Sequence, residues 1–161
     1  MKKEFSTFHN EYLNDYIQFA DTKAAIFISI NGIVLGYIFS QLNKLKSINI
    51  METNQFFLVL SIFFLLIAYV FLFLVIFPRR KFKSGNGIIF WDDVSTYKEP
   101  SKYVEKVENI DDDELVNAIT EQNFYLSKTA QKKYNSLFWS LLFSFIGYGS
   151  LVLYCLLQIL F

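Results

Sequence analysis

The chain has 161 residues with 15 Lys and Arg against 15 Asp and Glu, and 53% of it is hydrophobic, with Phe at 19 positions. Charged residues make up 19%, against about 25% in an ordinary soluble domain. They are missing altogether from three long runs, which leaves too little polar surface for a soluble helical bundle.

The first 23 residues read as a cytoplasmic amphipathic helix. Phe5, Phe8, Tyr12, Tyr16, Phe19 and Lys23 recur at three- and four-residue spacing and form an aromatic stripe, while Glu11, Asn14, Asp15 and Gln18 point elsewhere. The polar face is acidic rather than Lys/Arg-rich, so the stripe is expected to pack on other cytoplasmic helices, or on another copy, rather than lie in the headgroups. About twenty polar and aromatic residues precede the first apolar core, unlike a secretory signal. His9 stands alone and is read as a solvent or headgroup residue.

Residues 24–42 are nineteen uncharged positions, Ala24 to Leu42, and form the first predicted transmembrane helix. Asp21 and Lys23 stand at its boundary, where Lys23 can snorkel. Asn31 lies two turns deeper, so its amide needs a protein partner or a wet cavity. Gly32 and Gly36 form a small-xxx-small pair that lets another helix come close. Residues 43–55 are the external loop, and residues 56–77, twenty-two uncharged positions, form the second transmembrane helix. Its Phe56, Phe57, Phe63, Phe64, Phe71, Phe73 and Phe77 suggest a largely lipid-facing span.

Residues 78–136 are the cytoplasmic sensor or regulatory region. Arg79, Arg80, Lys81 and Lys83 sit where anionic headgroups would hold the exit of the second span. Ser84-Gly85-Asn86-Gly87 carries the Asn-Gly signature of a tight turn. Ile88-Ile89-Phe90-Trp91 is then expected as a short strand or buried extended piece, ended by Asp92-Asp93. Pro100 suits a first helical turn, so 99–108 reads as a short helix with Tyr103 and Val107 on one side. Asp111 and Glu114 fit a capping box. From there Leu115, Ile119, Gln122, Leu126, Ala130 and Tyr134 keep helical period. No Gly or Pro interrupts residues 112–146, so this helix is expected to run on into the third span, residues 137–161, whose twenty-five positions hold no charge. Ser136, Ser140 and Ser144, followed by Gly147 and Gly149, mark the third span as a packing element, as Gly32 and Gly36 mark the first. Cys155 is the lone cysteine and lies within this span, so no intramolecular disulfide is possible and neither a metal nor a redox role is expected.

Three Lys precede the first span, ten Lys and Arg lie between the second and third, and only Lys44 and Lys46 occupy the intervening loop. The positive-inside bias therefore places the N-terminus and residues 78–136 in the cytoplasm and the C-terminus outside. The expected fold class is an all-α membrane protein: three transmembrane helices, long cytoplasmic helical extensions and a small cytoplasmic insert between helices two and three. Nothing resembles a phosphate loop, a metal-ligand cluster or a nucleophile-base-acid set, so no enzyme, metal or cofactor is expected. Asp111-Asp112-Asp113-Glu114 is read as helix capping and dipole complementarity instead.

Several segments together resemble a known family, the small transmembrane effectors of bacterial Pycsar anti-phage systems. They are Ala20-Asp21-Thr22-Lys23-Ala24 entering the first span, Asn31-Gly32 within it, Ile89-Phe90-Trp91-Asp92-Asp93 after the second, and Asp112-Asp113-Glu114-Leu115 opening the helix that reaches Lys133-Tyr134. The resemblance covers nearly the whole chain. It departs at Phe90-Trp91, where the family pattern more often has Phe-Gly. The resemblance implies an inner-membrane protein that binds cyclic CMP or cyclic UMP made by a partner pyrimidine cyclase, and that impairs the membrane as a homo-oligomer, with no role for nucleic acid. Arg79, Arg80, Lys128, Lys132 and Lys133 are then candidates for the phosphate and Trp91 for the base. Asp21, Lys23, Asn31, Gly32, Gly36, Ser140, Ser144 and Gly147 are candidates for packing and gating. The rival readings are a constitutive membrane scaffold and a small ion channel gated by another signal.

Overall fold

The computed structural model describes residues 1–42, 53–77 and 87–160 and has five helices: α1 Lys2–Leu42, α2 Thr53–Ile76, α3 Trp91–Val94, α4 Pro100–Glu108 and α5 Asp112–Leu160. No strand occurs among the described residues. Helices α1, α2 and α5 are each long and apolar enough to cross a membrane, as the three uncharged runs predict. Arg79, Arg80, Lys81, Lys83, most of the 43–55 loop and most of the Asn-Gly turn lie outside the described residues.

The chain divides into two compact units. A polar unit holds Met1–Phe19 and Pro78–Gln131, and an apolar unit holds Ala20–Phe77 and Lys132–Phe161. Helices α1 and α5 each contribute residues to both.

In the apolar unit, α2 buries a stripe of Leu58, Ser61, Leu65, Ala68, Leu72 and Val75, all fully covered. Spacing of three and four residues puts these side chains on one face. The reading of the second span as largely lipid-facing is therefore half right: Phe56, Phe63, Phe73 and Phe77 are exposed, whereas Phe64 and Phe71 stack on Phe143 of α5. The large rings mask a stripe of smaller apolar residues that does the packing. One cluster gathers Ala20, Ala24, Leu72, Val75 and Leu137, and a second gathers Leu35, Ile38, Leu58, Leu65 and Tyr154. Small residues shape these contacts. A Cβ on Gly32 would stand 2.9 Å from the Tyr69 hydroxyl, and one on Gly147 would stand 2.9 Å from Leu65 Cγ, whereas Gly36 faces open space.

In the polar unit, the aromatic stripe of α1 is not the packed face. Phe5, Phe8, Tyr12, Tyr16 and Phe19 are all exposed, while Ser6 and Leu13 are buried. The reason is polar pairing. Asn123 of α5 donates to the Ser6 carbonyl at 2.9 Å, Asn10 donates to Asn123 Oδ1 at 2.8 Å, and Ser6 meets Thr120 at 3.3 Å. Buried amides need such partners, and satisfying them fixes which face of α1 turns inward.

Neither the short strand nor the buried extended piece expected at 88–91 is found, and residues 88–90 are half-buried. Residues 88–90 form bends and Trp91–Val94 is one helical turn. A four-residue strand with no neighbour to pair with leaves its backbone groups unmet, whereas the turn satisfies Val94 N–H with the Phe90 carbonyl at 2.9 Å. The short helix appears as predicted, with Pro100 in its first turn. Tyr103 donates to the Ile88 carbonyl at 3.2 Å and meets Tyr97 edge-on, while Val107 stays exposed. Asp111 caps α5 by accepting the Glu114 N–H at 2.6 Å. From that cap the helix runs 49 residues without a break.

Candidate functional site

Polar side chains in an apolar segment indicate where helices are held together or where water is admitted. In the apolar unit they form a line along α1 and α5. At one end Lys133 pairs with Asp21; the Lys133 side chain is only 9% exposed and that of Asp21 40%. Deeper, Asn31 is fully buried. Its amide nitrogen donates to Ser144 Oγ at 3.0 Å, and its carbonyl oxygen accepts the Tyr148 hydroxyl. Asn31 thus has partners for both ends of its amide. From α2, the Tyr69 hydroxyl donates to the Ile28 carbonyl at 2.7 Å, and it reaches that carbonyl because Gly32 leaves room.

Two buried serines of the same unit make no bond between helices. Ser140 is buried and donates to the Leu137 carbonyl at 2.7 Å, within its own helix. Ser61 of α2 is buried with its hydroxyl unpartnered. Lys23 is half-buried at the same end of the unit as Asp21.

The polar unit holds a different kind of surface. Thr96, Tyr97, Lys98, Lys102 and Lys106 line an open hollow of about 510 Å³. Lys102 and Lys106 lie four apart on α4 and so share a face. Lys106 donates to Glu114 at 2.7 Å, and this carboxylate raises the lysine above its ordinary pKa. Glu114 therefore completes only half of a capping box: its backbone N–H bonds Asp111, while its side chain reaches α4. At the same helix start, Lys3 donates to Asp112 at 2.7 Å and holds that carboxyl below its ordinary pKa. Asp93 is buried with one carboxylate oxygen unpartnered, and so is the Gln122 carbonyl oxygen.

The structure groups the residues singled out from sequence unevenly. Asn31 and Ser144 meet directly, Asp21 meets Lys133, and Gly32 and Gly147 both stand against α2. Lys128 is exposed in the polar unit, 5.5 Å from the Phe124 ring centre. Lys132 is exposed and Lys133 buried, both in the apolar unit. Arg79, Arg80 and the Trp91 side chain lie outside what the structure describes. Sequence reasoning missed Tyr69 and Tyr148, whose hydroxyls complete the buried line, and the Lys98–Lys102–Lys106 group. The four-residue interval from Ser144 to Tyr148 was a usable signal for the first omission. For the second, the i, i+4 lysines of the short helix were visible, but the hollow beside them was not.

Comparison with known proteins matches residues 5–160 to a family described as the Pycsar effector protein domain. The chain is also 35% identical over 159 residues to the Pycsar effector protein SaPycTM of Staphylococcus aureus, covering 99% of this chain and 98% of that protein. No solved structure matches it.

Proposed function

The chain belongs to the Pycsar effector family, transmembrane proteins of anti-phage defence, and from that premise we propose that it binds cyclic CMP or cyclic UMP and in response impairs the bacterial inner membrane. The observation that carries this reading is that α1 and α5 each contribute to both the polar and the apolar unit. A ligand that rearranges these helices in the polar unit thereby acts on the spans that contain Asn31, Ser144 and Tyr148.

The polar unit is cytoplasmic in this reading, where the product of a partner pyrimidine cyclase accumulates, and the C-terminus is external. The protein performs no chemistry on the nucleotide. It is a homo-oligomer, and the exposed aromatic face of α1, from Phe5 to Phe19, supplies a surface for contact between copies. A ligand shifts such an assembly only by binding the leaky arrangement more tightly than the closed one. Opening separates helices along their polar line, because Asn31, Ser144, Tyr148 and Ser61 offer water partners that the leucine-rich contacts between them lack.

The test is purified full-length protein in dye-loaded liposomes, titrated with cyclic CMP, cyclic UMP and cyclic AMP. Release with a cyclic pyrimidine and little with cyclic AMP is expected. Absence of both nucleotide binding and release across the series rules the reading out. Asn31→Leu should lower release about tenfold while nucleotide affinity stays within about twofold, because the residue lies in the responding unit. An equal loss of both would place Asn31 in overall folding instead.

A further inference from the structure

We propose that the hollow lined by Thr96, Tyr97, Lys98, Lys102 and Lys106 binds the phosphodiester of the cyclic pyrimidine nucleotide, and that the ligand does so by taking Lys106 from Glu114. This rests on the nucleotide reading above and gives it a site.

Three lysines border the hollow. Lys102 stands 4.0 Å from Glu99 and Lys106 stands 2.7 Å from Glu114, while Lys98 makes no ion pair among the described residues. Lys98 is thus the lysine of the three with no carboxylate at ion-pair distance among the described residues, and its charge is open to the single negative charge of a cyclic phosphodiester. Both ion pairs are exposed, and exposed pairs contribute little to stability. An incoming anion therefore exchanges them at low cost. The hollow's volume of about 510 Å³ lies within the usual range for small-molecule sites.

The other two residues suit the remainder of a nucleotide. Tyr97 brings an aromatic ring to a flat base. The hydroxyl proton of Thr96 is committed to the Asp93 carbonyl at 2.6 Å, so its oxygen is left to accept from a ribose hydroxyl or an exocyclic amine. The Tyr103 bond to the Ile88 carbonyl and the Thr96 and Tyr97 backbone bonds back to α3 hold these walls in place.

The Lys106–Glu114 bond makes the site consequential. It ties α4 to the first turn of α5, directly at the Asp111 cap. A phosphate that captures Lys106 frees the Glu114 side chain at the head of the 49-residue helix, where it can turn back to the Asp111 N–H and close the capping box. Ligand occupancy thereby changes how α5 is held.

Full-length protein in lipid-free detergent is titrated with radiolabelled cyclic CMP and cyclic UMP. Lys98→Gln/Lys102→Gln should weaken the nucleotide that binds by at least about tenfold, the scale of one lost charge-assisted hydrogen bond. Glu114→Gln, which removes the competitor for Lys106, should tighten it by about threefold or more, and Lys2→Gln, an exposed lysine outside the hollow, should leave it within about twofold. Lys98→Gln alone carries the test if the double variant does not fold, since Lys98 is exposed and holds nothing together. Binding by the wild type with no change in either lysine variant overturns the site and leaves the nucleotide reading standing; no binding by the wild type overturns both. The phosphodiester of an anionic lipid offers the same chemistry, so association with phosphatidylglycerol nanodiscs is measured in parallel. Lysine variants that lose only lipid association make the hollow a headgroup site and overturn the proposal.

Discussion

An ammonium that is 9% exposed, a few residues before a twenty-five-residue uncharged run, is costly unless a carboxylate answers it, and Asp21 does so for Lys133. The two partners are not equivalent. Asp21 keeps 40% of its side chain in contact with solvent, so it tolerates the loss of Lys133 better than Lys133 tolerates the loss of Asp21. Asp21→Asn should therefore cost about 1–3 kcal/mol and lower the midpoint of thermal unfolding in detergent, while Lys133→Met should cost clearly less. The double variant should recover most of the loss, because a methionine needs no counter-charge. Equal losses in the two single variants, or no recovery in the double, would show that the pair is not what holds this end of the unit. The ion pair illustrates what a sequence conceals: the boundary position of Asp21 was legible from charge spacing, but its partner is 112 positions away. Asn31 was more legible. A buried amide needs partners, and Ser144 already stood out on the third span; Tyr148 did not, because a tyrosine in an apolar run reads as packing until its hydroxyl is seen to point at something.

At the scale of elements, legibility followed how local the deciding physics is. The cap at Asp111, the proline at the head of α4 and the unbroken run after residue 112 depend on neighbours in sequence, and each appears as predicted. The 88–91 segment and the inward face of α1 depend on what lies across from them, and both differ from expectation. A β-rich tetrapeptide has no strand to join, and an aromatic stripe yields its place to a serine and an asparagine whose partners sit on α5. The continuity of α5 carries its own prediction. Gln131 is exposed and closes the polar unit's share of the helix, so Gln131→Pro breaks the backbone ladder without removing a packed side chain, at a cost of about 3 kcal/mol. If α5 transmits as one body, nucleotide affinity should remain within about twofold of wild type while dye release falls about tenfold, and Gln131→Ala should behave as wild type. Full release from a folded proline variant would mean that the signal does not travel along α5.

For the molecule as a whole, if all three candidate spans cross the bilayer, the two ends of the chain fall on opposite faces, and the distribution of cations selects which. Lys2, Lys3 and Lys23 precede α1's apolar part, and ten Lys and Arg fall between α2 and the third span, against Lys44 and Lys46 in the short connection. On that bias we propose a cytoplasmic N-terminus and polar unit, and the orientation matters for the proposed function, since a nucleotide made by a cytoplasmic cyclase would reach Lys98, Lys102 and Lys106 only from that side. A periplasm-dependent phosphatase fused after Phe161 should be active, and the same enzyme inserted between Lys83 and Ser84 should be inactive, with a fluorescent reporter giving the reverse pattern at both positions. Reversal of Lys44 and Lys46 to Glu should leave this pattern unchanged, because removing cations from the outer loop reinforces the bias. The opposite pattern in the unmodified sequence would put the lysine hollow outside the cell and remove its access to the signal, even if purified protein bound the nucleotide in detergent.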